Sequence, residues 1–95
     1  MAAYSIVNID ILDPPAFKEY QARFPALLEK FGGRYIVRGG ATEDVEGGWV
    51  PQRLIVIEYP TLDHARRLMA SAEYRALKQI RDRSTRTDWI TVEGV

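Results

Sequence analysis

The 95-residue chain predicts an α+β fold of the ferredoxin-like βαββαβ type: a four-stranded antiparallel sheet in the order 4-1-3-2 with the helices on one face. Three observations predict it. Apolar residues recur with a period near two at residues 4–12, 34–38, 53–59 and 87–92, and with a period near 3.6 between the first and second and between the third and fourth of these segments. The order strand, helix, strand, strand, helix, strand is the split βαβ arrangement, in which right-handed crossovers leave a gap between strands 1 and 2 that strand 3 fills. Finally, the length supports one domain over residues 1–95 and leaves no room for a second core.

Strand 1, YSIVNIDIL, stops at Asp13-Pro14-Pro15. Asp13 caps the first helix, and Pro14 suits its first position, where a missing N–H costs nothing. Phe17, Tyr20, Phe24, Leu27, Leu28 and Phe31 form one stripe of that helix, with Lys18, Glu19, Arg23 and Glu29 toward water. Pro25 lies inside the pattern and predicts a kink. Gly32-Gly33 ends the helix. Strand 2 is RYIVR, closed by Gly39-Gly40; a polar stretch containing Gly47-Gly48 and Trp49 leads to strand 3, RLIVIEY, ended by Pro60. Thr61 caps a second helix carrying Leu62, Ala65, Leu68 and Met69, and Ser71 restarts it through Tyr74, Leu77 and Ile80. Residues 81–86 read as a polar connection, and Thr87 opens strand 4.

Composition excludes several function classes. Thirteen Lys+Arg balance thirteen Asp+Glu, so the cationic excess of a phosphate-gripping protein is missing and nucleic acid is not an expected partner. With no Cys, disulfides, thiolate zinc sites and cysteine nucleophiles drop out. His64, the single imidazole, lies among Asp63, Arg66 and Arg67 on a solvated face. With no thiol and one imidazole no metal is expected, and no cofactor either: the glycines at 39, 40, 47 and 48 join strand to strand and open no phosphate-binding helix, which argues against a nucleotide. No export signal opens the chain, and no apolar run approaches the ~20 residues that span a bilayer, so the expected location is cytoplasmic without membrane contact.

Strand 3 carries Leu54, Ile55, Val56 and Ile57 in succession, which calls for burial on both faces. With no third layer in the chain, the expected cover is a second copy packed sheet to sheet, giving a homodimer. If Val7, Ile9, Ile55 and Ile57 face the helices, then Tyr4, Ile6, Asn8, Asp10, Arg34, Ile36, Arg38, Leu54, Val56 and Glu58 face the partner. On this reading Arg38 and Glu58 pair across adjacent strands, either to orient a small polar ligand or as a structural ion pair. Asp10 offers a second carboxylate for acid–base work, or is simply solvated. Tyr20, Tyr74 and Arg81 line a cleft between helices and sheet or pack the core. Trp49, in a connection longer than a hairpin needs, either closes over a ligand, inserts into the partner or packs its loop down.

Tyr4, Asp13-Pro14, Tyr20, Gly32-Gly33-Arg34-Tyr35 running into Arg38-Gly39-Gly40, Glu46-Gly47, Arg53, Glu58-Tyr59-Pro60, Ala65, the Ser71 and Tyr74 pair and Arg81 recur in order over essentially the whole chain. In these residues the chain resembles the bacterial family called domain of unknown function 1330, of the dimeric α/β-barrel superfamily. It departs from the family's pattern at Tyr59, where Phe is usual, and at Leu68-Met69, where an aromatic pair is frequent. The resemblance implies a ferredoxin-like dimer and no established reaction; by superfamily analogy, isomerase-like, decarboxylase-like or cofactor-free oxygenase chemistry is conceivable. The expected function is binding of a small organic-acid or aromatic metabolite, with Asn8, Arg38, Trp49, Tyr74 and Arg81 as ligand contacts. If the protein is an enzyme, Glu58, Asp10 and Tyr20 are the candidates for proton transfer; the alternative is a non-catalytic ligand-sensing or structural dimer.

Overall fold

The computed structural model describes all residues, 1–95. Its elements are β1 (Ala3–Ile11), α1 (Pro14–Lys30), β2 (Arg34–Arg38), β3 (Leu54–Tyr59), α2 (Leu62–Ala70), α3 (Ala72–Ser84) and β4 (Thr85–Glu93). The strands form one sheet in the order β2-β3-β1-β4, every pairing antiparallel. This is the expected 4-1-3-2 order, with the second helical segment divided into α2 and α3.

Local chemistry accounts for the helix limits. The Asp13 carboxylate accepts the Ala16 amide at 3.2 Å, with Pro14 in the first turn. At the other end the Gly33 amide donates to the Leu28 carbonyl and the Gly32 amide to that of Glu29, the Schellman pattern, with Gly32 at φ +82°. A side chain at Gly33 would meet Leu28 and Tyr59 at 2.3 and 2.9 Å, so the helix end lies directly on the core. The helix passes through Pro25 as one element. Ser71 serves two helices, donating to the last turn of α2 through Leu68 O and capping α3 by accepting the Tyr74 amide.

Residues 81–84, read as connection, continue α3, and β4 starts at once with Thr85. Two features override the polar composition there. The Ser84 carbonyl accepts the amides of Leu12 and Asp13, tying the helix end to the end of β1. Arg81 is buried, its guanidinium lying over the Trp89 ring at 5.3 Å.

Burial alternates strictly along β3 and over most of β1. Val7, Ile9, Ile55, Ile57 and Tyr59 face the helices and join Phe17, Phe24, Leu28, Leu68 and Tyr74 in the core. Their neighbours occupy the opposite face, which no element of the chain covers; the molecule is a plate of 38 × 37 × 16 Å. Cross-strand register aligns Ile90, Ile6, Val56 and Val37 in one apolar row across all four strands of that open face.

The register of β2 corrects one expectation. Arg34 lies opposite Glu58 and Tyr35 opposite Ile57, but Val37, not Ile36, lies opposite Val56, because a bulge falls between Tyr35 and Val37. Each residue after the bulge changes face, so Arg38 comes opposite Ile55 on the helix side, away from Glu58.

Candidate functional site

Between α1 and the sheet lies a cleft walled by Phe17, Phe24, Tyr35, Ile55 and Trp89. Tyr20, Gln21, Arg38 and Arg53 supply its polar groups. It encloses about 420 Å³ counting its open mouth, but little of it is wide enough for a water, so the inner part is a narrow slot. Its walls come from the periodicities of the sequence. Phe17, Tyr20, Gln21 and Phe24 recur at helical spacing on α1, while Arg53, Ile55 and Ile57 recur at strand spacing.

The aromatic rings hold one another in place. Tyr20 stacks between Phe17 and Phe24 at 5.2 Å from each, and Trp89 meets Phe24 and Tyr74 edge to face. The Tyr20 and Tyr74 hydroxyls are hydrogen-bonded at 3.0 Å in the interior. Burial, then the neighbouring Tyr74 phenol, pushes the Tyr20 hydroxyl far above the ordinary phenol range; burial also raises Tyr74 and Tyr35. At neutral pH these groups are neutral phenols able to donate a hydrogen bond, not bases. The cleft lining contains no carboxylate and no imidazole.

The remaining candidates divide between the two faces of the sheet. Glu58 is on the open face, where Arg34 grips its carboxylate through Nε and Nη2 at 2.9 and 2.7 Å. That hydrogen bonding lowers its pKa and keeps it ionised. The expected Arg38–Glu58 pair is thus replaced by Arg34–Glu58, while Arg38 lies over the Tyr35 ring at 4.4 Å at the mouth of the cleft. Asp10, opposite Arg86, is six residues along β1 from Tyr4, the partner of Glu58. At strand rise this separates the two carboxylates by roughly 20 Å, so they share no proton. Asn8 holds the β2–β3 connection: its Oδ1 accepts the Gln52 and Arg53 amides and its Nδ2 donates to Gln52 Oε1 at 2.7 Å. Trp49 is 62% exposed and lies beside Asn8, Leu54 and Ile90 at the edge of the open face. Arg81 pairs with Asp82 at 3.1 Å. His64 accepts or donates at Nδ1 with the Thr61 hydroxyl, 2.7 Å away, beside the turn after α1.

The structure adds two residues to the candidates: Arg53 and Trp89. Each has a buried nitrogen, Nε and Nε1 respectively, without a hydrogen-bond partner in the chain. The signal for Arg53 was its two-residue spacing from Ile55 and Ile57, which puts it on the helix side. No group of three His, Cys, Asp or Glu side chains is close enough to hold a metal ion, and no helix is long and apolar enough to cross a membrane.

The family model described as domain of unknown function (DUF1330) matches residues 2–95. The chain belongs to that family. No curated protein matches its sequence. Among solved structures, this DUF1330 chain is similar to a protein of unknown function from Rhodopseudomonas palustris, with a TM-score of 0.79 at 14% identity over 99% of this chain and 82% of that one. It is similar also to SnoaB, a cofactor-independent oxygenase from Streptomyces nogalater, with a TM-score of 0.67 at 12% identity over 99% of this chain and 93% of that one. A third is a conserved protein from Methanosarcina mazei Go1, with a TM-score of 0.57 at 16% identity over 100% and 95% of the two chains. At such identities the likeness is one of fold, the ferredoxin-like α+β architecture.

Proposed function

We propose that this DUF1330 protein binds a small organic-acid or aromatic metabolite in the cleft between α1 and the sheet, as a homodimer joined sheet to sheet. The observation that carries the reading is the cleft: an aromatic slot beside the core, lined by Trp89 and Arg53, each of which carries a buried nitrogen, Nε1 and Nε, without a hydrogen-bond partner. Buried donors in native proteins are nearly always satisfied, by protein, water or ligand. Support for a small-molecule role also comes from the shared fold of SnoaB, a cofactor-independent oxygenase. The apolar row on the open face supports a second copy as its cover.

Binding without proton-transfer catalysis has a specific observation in its favour. Glu58 and Asp10, the carboxylates suited to act as bases, lie on the far side of the sheet from the cleft, and the phenols within it stay neutral. Ligand-dependent thermal shift against a panel of small aromatic and aliphatic acids and their neutral analogues tests the reading. At least one compound should raise the melting temperature of the native protein and leave Gln21→Trp unmoved, because the indole fills the mouth from an exposed position on α1. No shift with any compound, or equal shifts in both proteins, overturns it.

A further inference from the structure

We infer that Arg38 and Arg53 form a carboxylate clamp at the mouth of the cleft, and that the ligand is a small monocarboxylate with a flat or short apolar body, held acid group outward. The inference rests on the cleft being a binding site and adds what it selects.

The bulge in β2 turns Arg38 to the helix side opposite Ile55, and Arg53, directly before β3 and two residues from Ile55, lines the same cleft. Such diagonal neighbours in a sheet are roughly 7–8 Å apart. Neither guanidinium takes part in any of the six ion pairs of the chain, and neither side chain donates a hydrogen bond within it. The cleft lining carries no acid to compensate them. Two unpaired like charges at one mouth repel each other, and an anion between them removes that cost.

Both groups are also held in place. The Arg38 guanidinium lies over the Tyr35 ring, and that of Arg53 packs against Gly39, where a Cβ would come within 3.0 Å of its central carbon. Stacking fixes the plane of a guanidinium and leaves its N–H edge free, which suits a two-bond grip on a carboxylate. Arg53 Nε is buried without a partner. Beyond this charged mouth the slot is apolar and narrow, so a second charge inside would be desolvated without compensation, and a bulky body would not enter. Hence one acid group, at the mouth, on a thin apolar tail.

Calorimetry on the full chain with two matched pairs, benzoate against benzamide and butyrate against butyramide, tests this. Each carboxylate should bind at least ~10-fold more tightly than its amide, from charge-assisted bonds that the amide cannot make. Arg38→Gln/Arg53→Gln should bring the ratio near unity with amide affinity retained, and Arg53→Lys should give an intermediate ratio because charge survives and the fork does not. Arg38→Gln alone, at an exposed position, carries the test if the double variant fails to fold. Acids and amides that bind the native protein alike overturn the clamp while the cleft stands. No binding by any of the four overturns the clamp, and the Gln21→Trp comparison over the wider panel then decides the cleft separately.

Discussion

The Tyr20–Tyr74 hydroxyl pair shows how a polar contact inside a core is better judged by what its loss leaves behind than by its own strength. Removing one hydroxyl strands the other, whereas removing both leaves two rings that still pack. Tyr74 is fully buried, while Tyr20 lines the cleft and has room beside it for a water. Tyr20→Phe, which strands the Tyr74 hydroxyl, should therefore cost about 1–2 kcal/mol, Tyr74→Phe less, and the double variant less than Tyr20→Phe alone. Denaturant unfolding of the four proteins measures this cycle. Additive costs would mean that each hydroxyl has an independent partner, and the pair would then be part of the site more than of the packing. At this scale the packing of Tyr20 and Tyr74 was legible, because helical spacing on an apolar stripe puts an aromatic inside. Arg81 was harder to read. Its six-residue run is polar by composition, and the Trp89 face beneath the guanidinium, together with the Asp82 carboxylate, makes its burial tolerable.

Between elements, the same sequence patterns reveal which segments form strands and helices but not how strands slide. In RYIVR every residue suits either face, so nothing marks the bulge, yet that single extra residue moves Arg38 from the open face to the cleft and breaks the expected link to Glu58. The same holds for α3, which runs to Ser84 because the carbonyl of that last residue is taken by the amides of Leu12 and Asp13, just past β1, a tertiary contact without local signature. Asn8 is the opposite case. A polar residue on an apolar strand reads as a ligand contact, and the structure employs it to fasten the base of the long β2–β3 connection. Asn8→Ala should free the Gln52 and Arg53 amides at a cost of about 1 kcal/mol, so their hydrogen exchange should quicken roughly fivefold while core amides of β1 and β3 keep their protection relative to global stability. Unchanged exchange at both amides would show that the connection is held by something other than this side chain.

For the molecule as a whole, the decisive fact is that one face of the sheet has a core and the other has the makings of one. Ile90 and Val92 are 62% and 46% exposed, and with Ile6, Val56 and Val37 they line a surface that the chain itself does not cover, edged by the Arg34–Glu58 pair and by Asp10 and Arg86. A polar edge around an apolar centre is the layout of a protein interface, and a copy of the same face meets these demands about a two-fold axis. At ~25 cal/mol per Å², each 100 Å² of apolar surface removed from water supplies roughly 2.5 kcal/mol, to be set against the several kcal/mol that association costs. The proposed dimer should therefore be seen by sedimentation at micromolar concentration. Val56→Glu puts one carboxylate per chain in the centre of the apolar row, two per dimer, and a buried unpaired charge costs several kcal/mol. The dissociation constant should rise by about three powers of ten or more. Gln79→Glu, the same added charge on the exposed side of α3, should leave the dimer intact. A single-chain species for the native protein, or a Val56→Glu variant that stays dimeric, would mean that the open face is covered by something other than its twin. The cleft on the helix side would survive that outcome, because every residue lining it belongs to one chain.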